Sequence, residues 1–159
     1  MKMKTRNSKL LTALFCAFMA ACMWSATAGA WWNPDWTVRR KITIDTSDKG
    51  AGIGDPIGTT PVLIRLHDDM ISWNSAKTDD LSDLRFVASD DKTLLTYHIE
   101  NYDPLGQTAE IWVNIPDLKP GTSTMIWMYY GNPKAEGVND PKKTYDKDTV
   151  LVYHFNEQG

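Results

Sequence analysis

The sequence predicts an all-β protein, an antiparallel β-sandwich of jelly-roll-like character, preceded by a signal-peptide helix. Three observations lead to this prediction. Short runs of alternating apolar and polar residues recur along the chain, Gly and Pro turn signals separate them, and no long stretch has the period of an amphipathic helix. Strands with one apolar face need a second layer to bury that face, and this favours two packed sheets.

The first three predicted strands lie in the first half of the chain that follows the signal. Residues 37–44 alternate and predict a strand with one solvent-exposed face. Residues 62–66 are mostly apolar and predict a second, more fully buried strand. Residues 83–87 predict a third, short strand.

The next predicted strands form a hairpin and a central strand. Residues 94–102 and 109–115 both alternate, and the turn at residues 103–106 contains Pro and Gly, which predicts a hairpin. Residues 124–130 carry apolar or aromatic side chains on both faces, which predicts a strand in the middle of a sheet. Residues 131–133, Gly-Asn-Pro, end that strand.

The first 30 residues have the three parts of an export signal. A start with four Lys and Arg residues precedes an apolar run over residues 10–24, and Ala28-Gly29-Ala30 supplies the small residues that signal peptidase requires. We predict a signal peptide over residues 1–30 with cleavage after Ala30. Two alternatives stay open: an uncleaved anchor, for which the apolar run is short, and a lipoprotein processed at Cys22.

Removal of this segment changes the charge and the cysteine content of the domain. The net charge at pH 7 falls from −3 to −7, because the segment holds four of the 17 basic residues and none of the 20 acidic ones. An acidic domain is a poor nucleic-acid binder, since phosphate contacts need clustered cations. Both cysteines, Cys16 and Cys22, belong to the signal. The mature domain therefore has no disulfide, thiolate zinc site or cysteine nucleophile.

The mature chain is long enough for one ordinary domain. We assign residues 31–135 to the sandwich and residues 136–148, which are polar and rich in Lys, Asp and Pro, to a linker. Residues 150–155 are apolar again and predict a strand close to the end of the sequence. We expect residues 149–159 to be the first strand of a truncated further domain, with an edge strand of the sandwich as the alternative.

No motif in the sequence points to catalysis or requires a cofactor. The three histidines lack the spacing of a metalloprotease helix, and no Gly-x-Ser-x-Gly motif occurs. The densest acidic group, Asp79, Asp80 and Asp83, offers weak calcium candidates, yet it lacks the Gly and the final Glu of a calcium loop. We interpret these residues as turn caps. The sequence thus predicts a non-enzymatic domain without a metal or cofactor.

Tryptophan is more abundant than a core of this size requires. Trp112 alternates with apolar neighbours, so its ring should point away from the core and lie across from Trp127 and Tyr129 if their strands pair. Exposed rings of this kind form platforms for sugar rings or proteins. We predict a ligand-binding surface made of Trp112, Trp127, Tyr129 and Trp73. The alternative is that these rings are packed, as we expect for the three tryptophans of residues 31–36, which should close one end of the sandwich.

Six segments carry a family resemblance: Trp31-Trp32-Asn33-Pro34-Asp35-Trp36, Arg39-Arg40-Lys41-Ile42, Pro61-Val62-Leu63-Ile64-Arg65-Leu66, Ser82-Asp83-Leu84-Arg85-Phe86, Ile111-Trp112-Val113 and Tyr129-Tyr130-Gly131-Asn132. In this order they resemble the bacterial family called domain of unknown function 2341, over residues 31–135. Residues 152–157, Val-Tyr-His-Phe-Asn-Glu, are similar to the opening strand of a concanavalin-like (LamG-type) domain.

The resemblance implies a context and no catalytic residues. Members of this family commonly lie behind a signal peptide and before a lectin-like domain, in proteins that end in a MotA/TolQ/ExbB-type proton channel. We therefore expect a non-catalytic recognition or assembly module of such a biopolymer-transport protein, at the periplasmic face of the inner membrane. Its expected partners are a glycan or a periplasmic protein, and the lectin-like and channel domains of its own polypeptide. The alternative is a carbohydrate-binding accessory module of a secreted polysaccharide-active enzyme or adhesin.

Overall fold

The computed structural model describes residues 31–77, 79–145, 149 and 152. These residues form seven strands and one short helix: β1 (Val38–Asp45), β2 (Gly58–Leu66), β3 (Arg85–Ala88), β4 (Leu94–Leu95), β5 (Tyr97–Asp103), β6 (Thr108–Leu118), β7 (Ser123–Tyr130) and α1 (Pro141–Thr144). The strands make two sheets, ordered β1-β7-β3-β4 and β2-β6-β5. All strand pairs are antiparallel, which confirms the predicted antiparallel β-sandwich.

Predicted features at both ends of the sequence fall outside the described residues. These are the signal peptide over residues 1–30 and, except for Thr149 and Val152, the strand expected over residues 149–159. Within the described part of the chain, we find no helix with the length and hydrophobicity that a membrane crossing requires.

The core lies between the two sheets and receives alternate residues from each strand. In β6 the buried side chains are Ala109, Ile111, Val113, Ile115 and Leu118, and the residues that alternate with the first four are half-buried. They pack against the inward side chains of β7, which are Ile126, Met128 and Tyr130. Burial of each such apolar side chain contributes roughly 1.5–3 kcal/mol, so the alternation orients both strands.

Strand β7 lies between β1 and β3, as predicted for a strand with apolar side chains on both faces. Its outer face carries Trp127 and Tyr129, and Tyr129 is fully buried although it points away from the core. Residues 32–36 cover it, and the Trp32 ring lies 5.8 Å from the Tyr129 ring. Trp32 and Trp36 thus cover the outer face of this sheet and not the end of the sandwich, where we expected them.

Hydrogen bonds from Trp36 and Thr37 attach this covering segment to the sheet, and a third bond joins their two acceptor residues, Asp83 and Gly131. The Trp36 indole N–H donates to the Asp83 carbonyl at 2.6 Å. The buried Asp83 carboxylate accepts from the Gly131 amide at 2.7 Å, and the Thr37 hydroxyl donates to the Gly131 carbonyl at 2.9 Å. Gly131 has a positive φ of 87°, and a Cβ atom there would overlap the Thr37 hydroxyl. Glycine is therefore required at this position by conformation and by space.

Strand β2 is more buried than β1, as predicted, since β1 has no fully buried residue. It is nevertheless an edge strand of the second sheet. Ile64 and Leu66 are buried, Arg65 between them is exposed, and Leu63 is half-buried. An apolar run alone cannot show how many faces of a strand will be covered.

The strand predicted over residues 94–102 passes from one sheet to the other. Leu95 belongs to β4 in the first sheet and Tyr97 begins β5 in the second, and both side chains are buried. Strands β5 and β6 pair as the predicted hairpin. Its turn is held by Asp103, whose carboxylate accepts from the amides of Leu105 and Gly106 at 2.9 Å each.

The first part of the predicted linker lies against the sandwich. The Asp140 amide donates to the Tyr97 carbonyl at 2.9 Å, and the Ile99 amide donates to the Asn139 side chain at 3.0 Å. Thr144 in α1 is buried. Residues 139–144 therefore cover the outer edge of β5, where backbone groups would otherwise lack a strand partner.

The burial of Tyr97 predicts a loss of stability at alkaline pH. Its hydroxyl donates to the buried Leu84 carbonyl at 2.9 Å, and desolvation raises its pKa to about 12. The unfolded chain ionises near pH 10, so this stabilisation is complete below about pH 10 and is lost as the pH rises through about 12. We expect the free energy of unfolding to fall by about 2 kcal/mol over this interval.

The Tyr97→Phe variant isolates this effect. Burial also raises the pKa of Tyr102, Tyr129 and Tyr145, so part of the alkaline loss will persist in the variant. The measurement is urea unfolding of both proteins from about pH 8 to about pH 12. Equal pH dependence in the two proteins would show that Tyr97 does not stay protonated in the fold.

Candidate functional site

A row of partly exposed side chains crosses the outer face of the second sheet. Leu63 on β2 and His98 on β5 are the direct cross-strand partners of Trp112 on β6. The row continues with Tyr145, whose ring meets the His98 ring edge to face with centroids 6.0 Å apart. The Tyr145 hydroxyl lies 3.2 Å from Nδ1 of His98. We call this surface, formed by Leu63, Trp112, His98 and Tyr145, the Trp112 face.

The Trp112 ring is held in place by a carboxylate. Its indole N–H donates a hydrogen bond to the side chain of Glu100. Glu100 is the extra residue of a β-bulge, because Ile99 and Asn101 pair with consecutive residues of β6. A bulge redirects side chains, and here it brings a carboxylate from the neighbouring strand to the edge of the indole. The result is an oriented, half-buried ring with an acceptor and an imidazole beside it.

The next row of the same sheet is charged. Arg65 and Glu110 form an ion pair at 3.3 Å, and their side chains are 72% and 38% exposed. A pair with this exposure contributes little to stability. On the other side of Trp112, the Oδ1 atom of Asn114 is buried without a hydrogen-bond partner among the described residues. Polar groups thus border the aromatic centre of the surface.

The other aromatic residues predicted for ligand binding do not lie on the Trp112 face. Strand β6 pairs with β2 and β5, while Trp127 and Tyr129 belong to β7 in the other sheet. The guanidinium of Arg39 lies 4.1 Å above the half-buried Trp127 ring. The Tyr129 hydroxyl donates to the Asp91 carboxylate. The rings of Trp112 and Trp127 therefore point away from opposite sheets.

Trp73 is part of the core. It is 6% exposed and stacks on Tyr102 with centroids 6.0 Å apart and an interplanar angle of 15°. Its indole N–H is buried without a hydrogen-bond partner among the described residues. The four predicted residues thus do not form one surface, and of the four it is Trp112 that lies on the outer face of the second sheet.

The three acidic residues weighed as calcium ligands have other contacts. The Asp80 carboxylate accepts from the Ser82 amide at 2.9 Å, and hydrogen bonds from Ser82 hold its pKa below its usual range. Asp83 is buried and bonded to the Gly131 amide, while Asp79 is exposed. In the part of the chain that the structure describes, no three acidic, His or Cys side chains come close enough to hold a metal ion.

The structure also contains a polar cleft of about 670 Å³ that sequence reasoning missed. It is lined by Asn33, Asp35, Trp36, Arg85 and residues 132–136, and we call it the Arg85 cleft. Arg85 is 6% exposed, and its guanidinium lies 4.9 Å from the Trp36 ring centre. It donates to the carbonyls of Ser82, Leu84 and Glu136 at 2.9, 2.6 and 2.7 Å. The sequence signal that could have indicated this cleft is an arginine in a short strand whose other residues are apolar.

Comparison with known protein families shows a match over the second half of the chain. Residues 80–158 match the model of a family described as domain of unknown function (DUF2341). The matched range includes β3 to β7 and α1, and it extends beyond residue 135, where we placed the end of the sandwich domain. It supports the resemblance over this range. No curated protein and no solved structure is significantly similar to the chain.

The difference in burial between Trp73 and Trp112 predicts different costs of truncation. Trp73→Ala removes a buried ring and should lower the free energy of unfolding by about 3–5 kcal/mol. Trp112→Ala removes a half-buried ring from an outer face, and we expect about 1–2 kcal/mol. Urea unfolding measures both values. A Trp112→Ala cost as large as that of Trp73→Ala would mean that Trp112 serves the fold alone.

Proposed function

We propose that this protein is a non-catalytic recognition module that acts outside the cytoplasm and binds carbohydrate on the Trp112 face. The observation that carries the proposal is the half-buried Trp112 ring on the outer face of the second sheet, held by its hydrogen bond to Glu100. A held ring loses little conformational freedom when a ligand binds.

The chemistry of this face suits a sugar better than an apolar partner. The flat indole can stack on the C–H face of a pyranose, and the Glu100 carboxylate and His98 imidazole at its edge can bond hydroxyl groups. The row from β2 to β5 spans roughly 10 Å, since neighbouring strands lie about 4.8 Å apart. That width accommodates about two sugar rings. The acidic charge of the domain disfavours polyanionic ligands, so we propose a neutral glycan.

We also propose that the module is part of a longer polypeptide of the MotA/TolQ/ExbB type and faces the periplasm. Support comes from the signal-like first 30 residues and from the resemblance to domain of unknown function 2341. A role as an accessory module of a secreted enzyme or adhesin is the second candidate. The reading frame beyond residue 159 separates them: long apolar spans support the channel protein, and an acid-lined catalytic domain supports the enzyme.

The two half-buried tryptophans on opposite sheets provide a matched test of the carbohydrate site. We expect Trp112→Ala to weaken glycan binding by about tenfold or more, since a stacked aromatic residue commonly supplies such a share of affinity. Trp127→Ala should leave binding unchanged. The measurement is binding of both variants and the parent protein to arrays of neutral glycans and peptidoglycan fragments. Loss of binding in Trp127→Ala with retention in Trp112→Ala would contradict the proposal.

Export is tested by the mature N-terminus of the protein. We expect the processed chain to begin at Trp31, because small residues occupy the positions that signal peptidase recognises. The Cys22→Ala variant should be processed identically. N-terminal sequencing and intact mass of the fractionated protein give the answer. A lipid-modified Cys22, or a chain that retains residues 1–30, would refute cleavage after Ala30.

A further inference from the structure

The Arg85 cleft combines a buried cation with exposed charges of both signs. Arg85 is 6% exposed, whereas Asp35, Lys134 and Glu136 are exposed. All four residues line the same cavity. The cation therefore lies deep in the cleft, and the other charges lie nearer to the solvent.

The charge of Arg85 has no ion-pair partner among the described residues. Its three hydrogen bonds go to backbone carbonyls, which are neutral. Asp83 is buried on the same segment, but its carboxylate accepts from the Gly131 amide and forms no ion pair with Arg85. A buried guanidinium is stabilised best by a carboxylate that it can bind directly. Arg85 is thus poised to receive one from a ligand.

Both acidic residues of the cleft lie in segments that contact this cation. The backbone carbonyl of Glu136 accepts a hydrogen bond from Nη2 of Arg85 at 2.7 Å. The Glu136 side chain is therefore attached to a residue that contacts the guanidinium. Asp35 precedes Trp36, whose ring lies 4.9 Å from the guanidinium carbon. Neither acid forms an ion pair with the described residues. A purely anionic ligand on Arg85 would meet both carboxylates, and this disfavours it.

Two amide groups add hydrogen-bond donors to the lining. The side-chain oxygen of Asn33 accepts from the Asp35 amide at 2.9 Å, and that of Asn132 accepts from the Lys134 amide at 3.0 Å. Because these oxygens are engaged, each side chain offers its NH₂ group for other contacts. A cleft of about 670 Å³ is large enough for an amino acid or a short peptide.

We propose that the Arg85 cleft binds a zwitterion, a ligand that carries a carboxylate and an ammonium group, as a free amino acid or a short peptide does. The carboxylate binds Arg85, with Lys134 adding positive charge at the mouth of the cleft, and the ammonium group is held by Glu136 and Asp35. This site lies on the first sheet, away from the Trp112 face, and it does not depend on the proposed carbohydrate binding.

The experiment is a titration of the ¹⁵N-labelled full chain followed by amide and indole resonances. The probes are L-alanine and the dipeptide alanyl-alanine as zwitterions, acetate as the carboxylate alone, and methylammonium as the cation alone. We expect saturable shifts of the amides of residues 132–136 and of the Trp36 indole with the two zwitterions. Acetate and methylammonium should bind at least about tenfold more weakly, since each makes only one of the two charge contacts.

Neutral substitutions at the exposed acids test the assignment without disturbing the buried arginine. Asp35→Asn and Glu136→Gln should each weaken dipeptide binding about fivefold to tenfold. Asp55→Asn, an exposed residue of the β1–β2 loop, is the matched control and should bind as the parent chain does. Arg85→Lys keeps the charge but loses the planar fork, so it should also weaken binding. If Arg85→Lys fails to fold, the two acid variants decide the question.

Three results would overturn the proposal. Acetate that shifts the same resonances with the affinity of the dipeptide would make this a simple anion site. If Asp35→Asn and Glu136→Gln both bind the dipeptide as strongly as the parent chain, these two carboxylates do not hold its ammonium group. An absence of shifts with both zwitterions would show that the cleft is not a ligand site. Unchanged dipeptide binding in Trp112→Ala would show that this site is independent of the carbohydrate site.

Discussion

The covering of β7 on both faces is the constraint on which the rest of the structure depends. Its inner face packs in the core, and its outer face is covered by residues 32–36, whose Trp32 ring lies 5.8 Å from the Tyr129 ring. The closure is secured where Trp36 bonds the Asp83 carbonyl and the Asp83 carboxylate bonds the Gly131 amide. A buried carboxylate is costly unless it accepts hydrogen bonds, so the bond from Gly131 to Asp83 strongly favours this arrangement. Through it, the start of the domain is connected to the end of its central strand.

This closure makes the two outer faces of the sandwich unequal. On the first sheet, Tyr129 is packed under residues 32–36, and the Arg39 guanidinium is stacked on Trp127. On the second sheet, the row around Trp112 is bordered by polar groups and by Tyr145. The aromatic surface that we propose for ligand binding therefore lies on the second sheet. The same closure on the first sheet forms the Arg85 cleft, because Trp36 and Arg85 both line it.

The strands themselves were predictable because their signals are local. Alternation located β1, β5 and β6, turn residues located the β5–β6 hairpin, and the two apolar faces of β7 predicted its central position. Partners across sheets were not predictable in this way. Trp112 was expected near Trp127, yet it pairs with Leu63 and His98, since alternation determines the face of a residue and not the strand beside it.

By itself the sequence determined the antiparallel sandwich, the outward direction of Trp112 and the double burial of β7, because each depends on the pattern within one strand or turn. Tertiary structure decided the rest. It separated Trp112 from Trp127, buried Trp73, and assembled the Arg85 cleft from residues 33–36, Arg85 and residues 132–136. These outcomes depend on pairings between segments far apart in the chain, which are selected by the packing of the whole core and leave no periodic signal in any one segment.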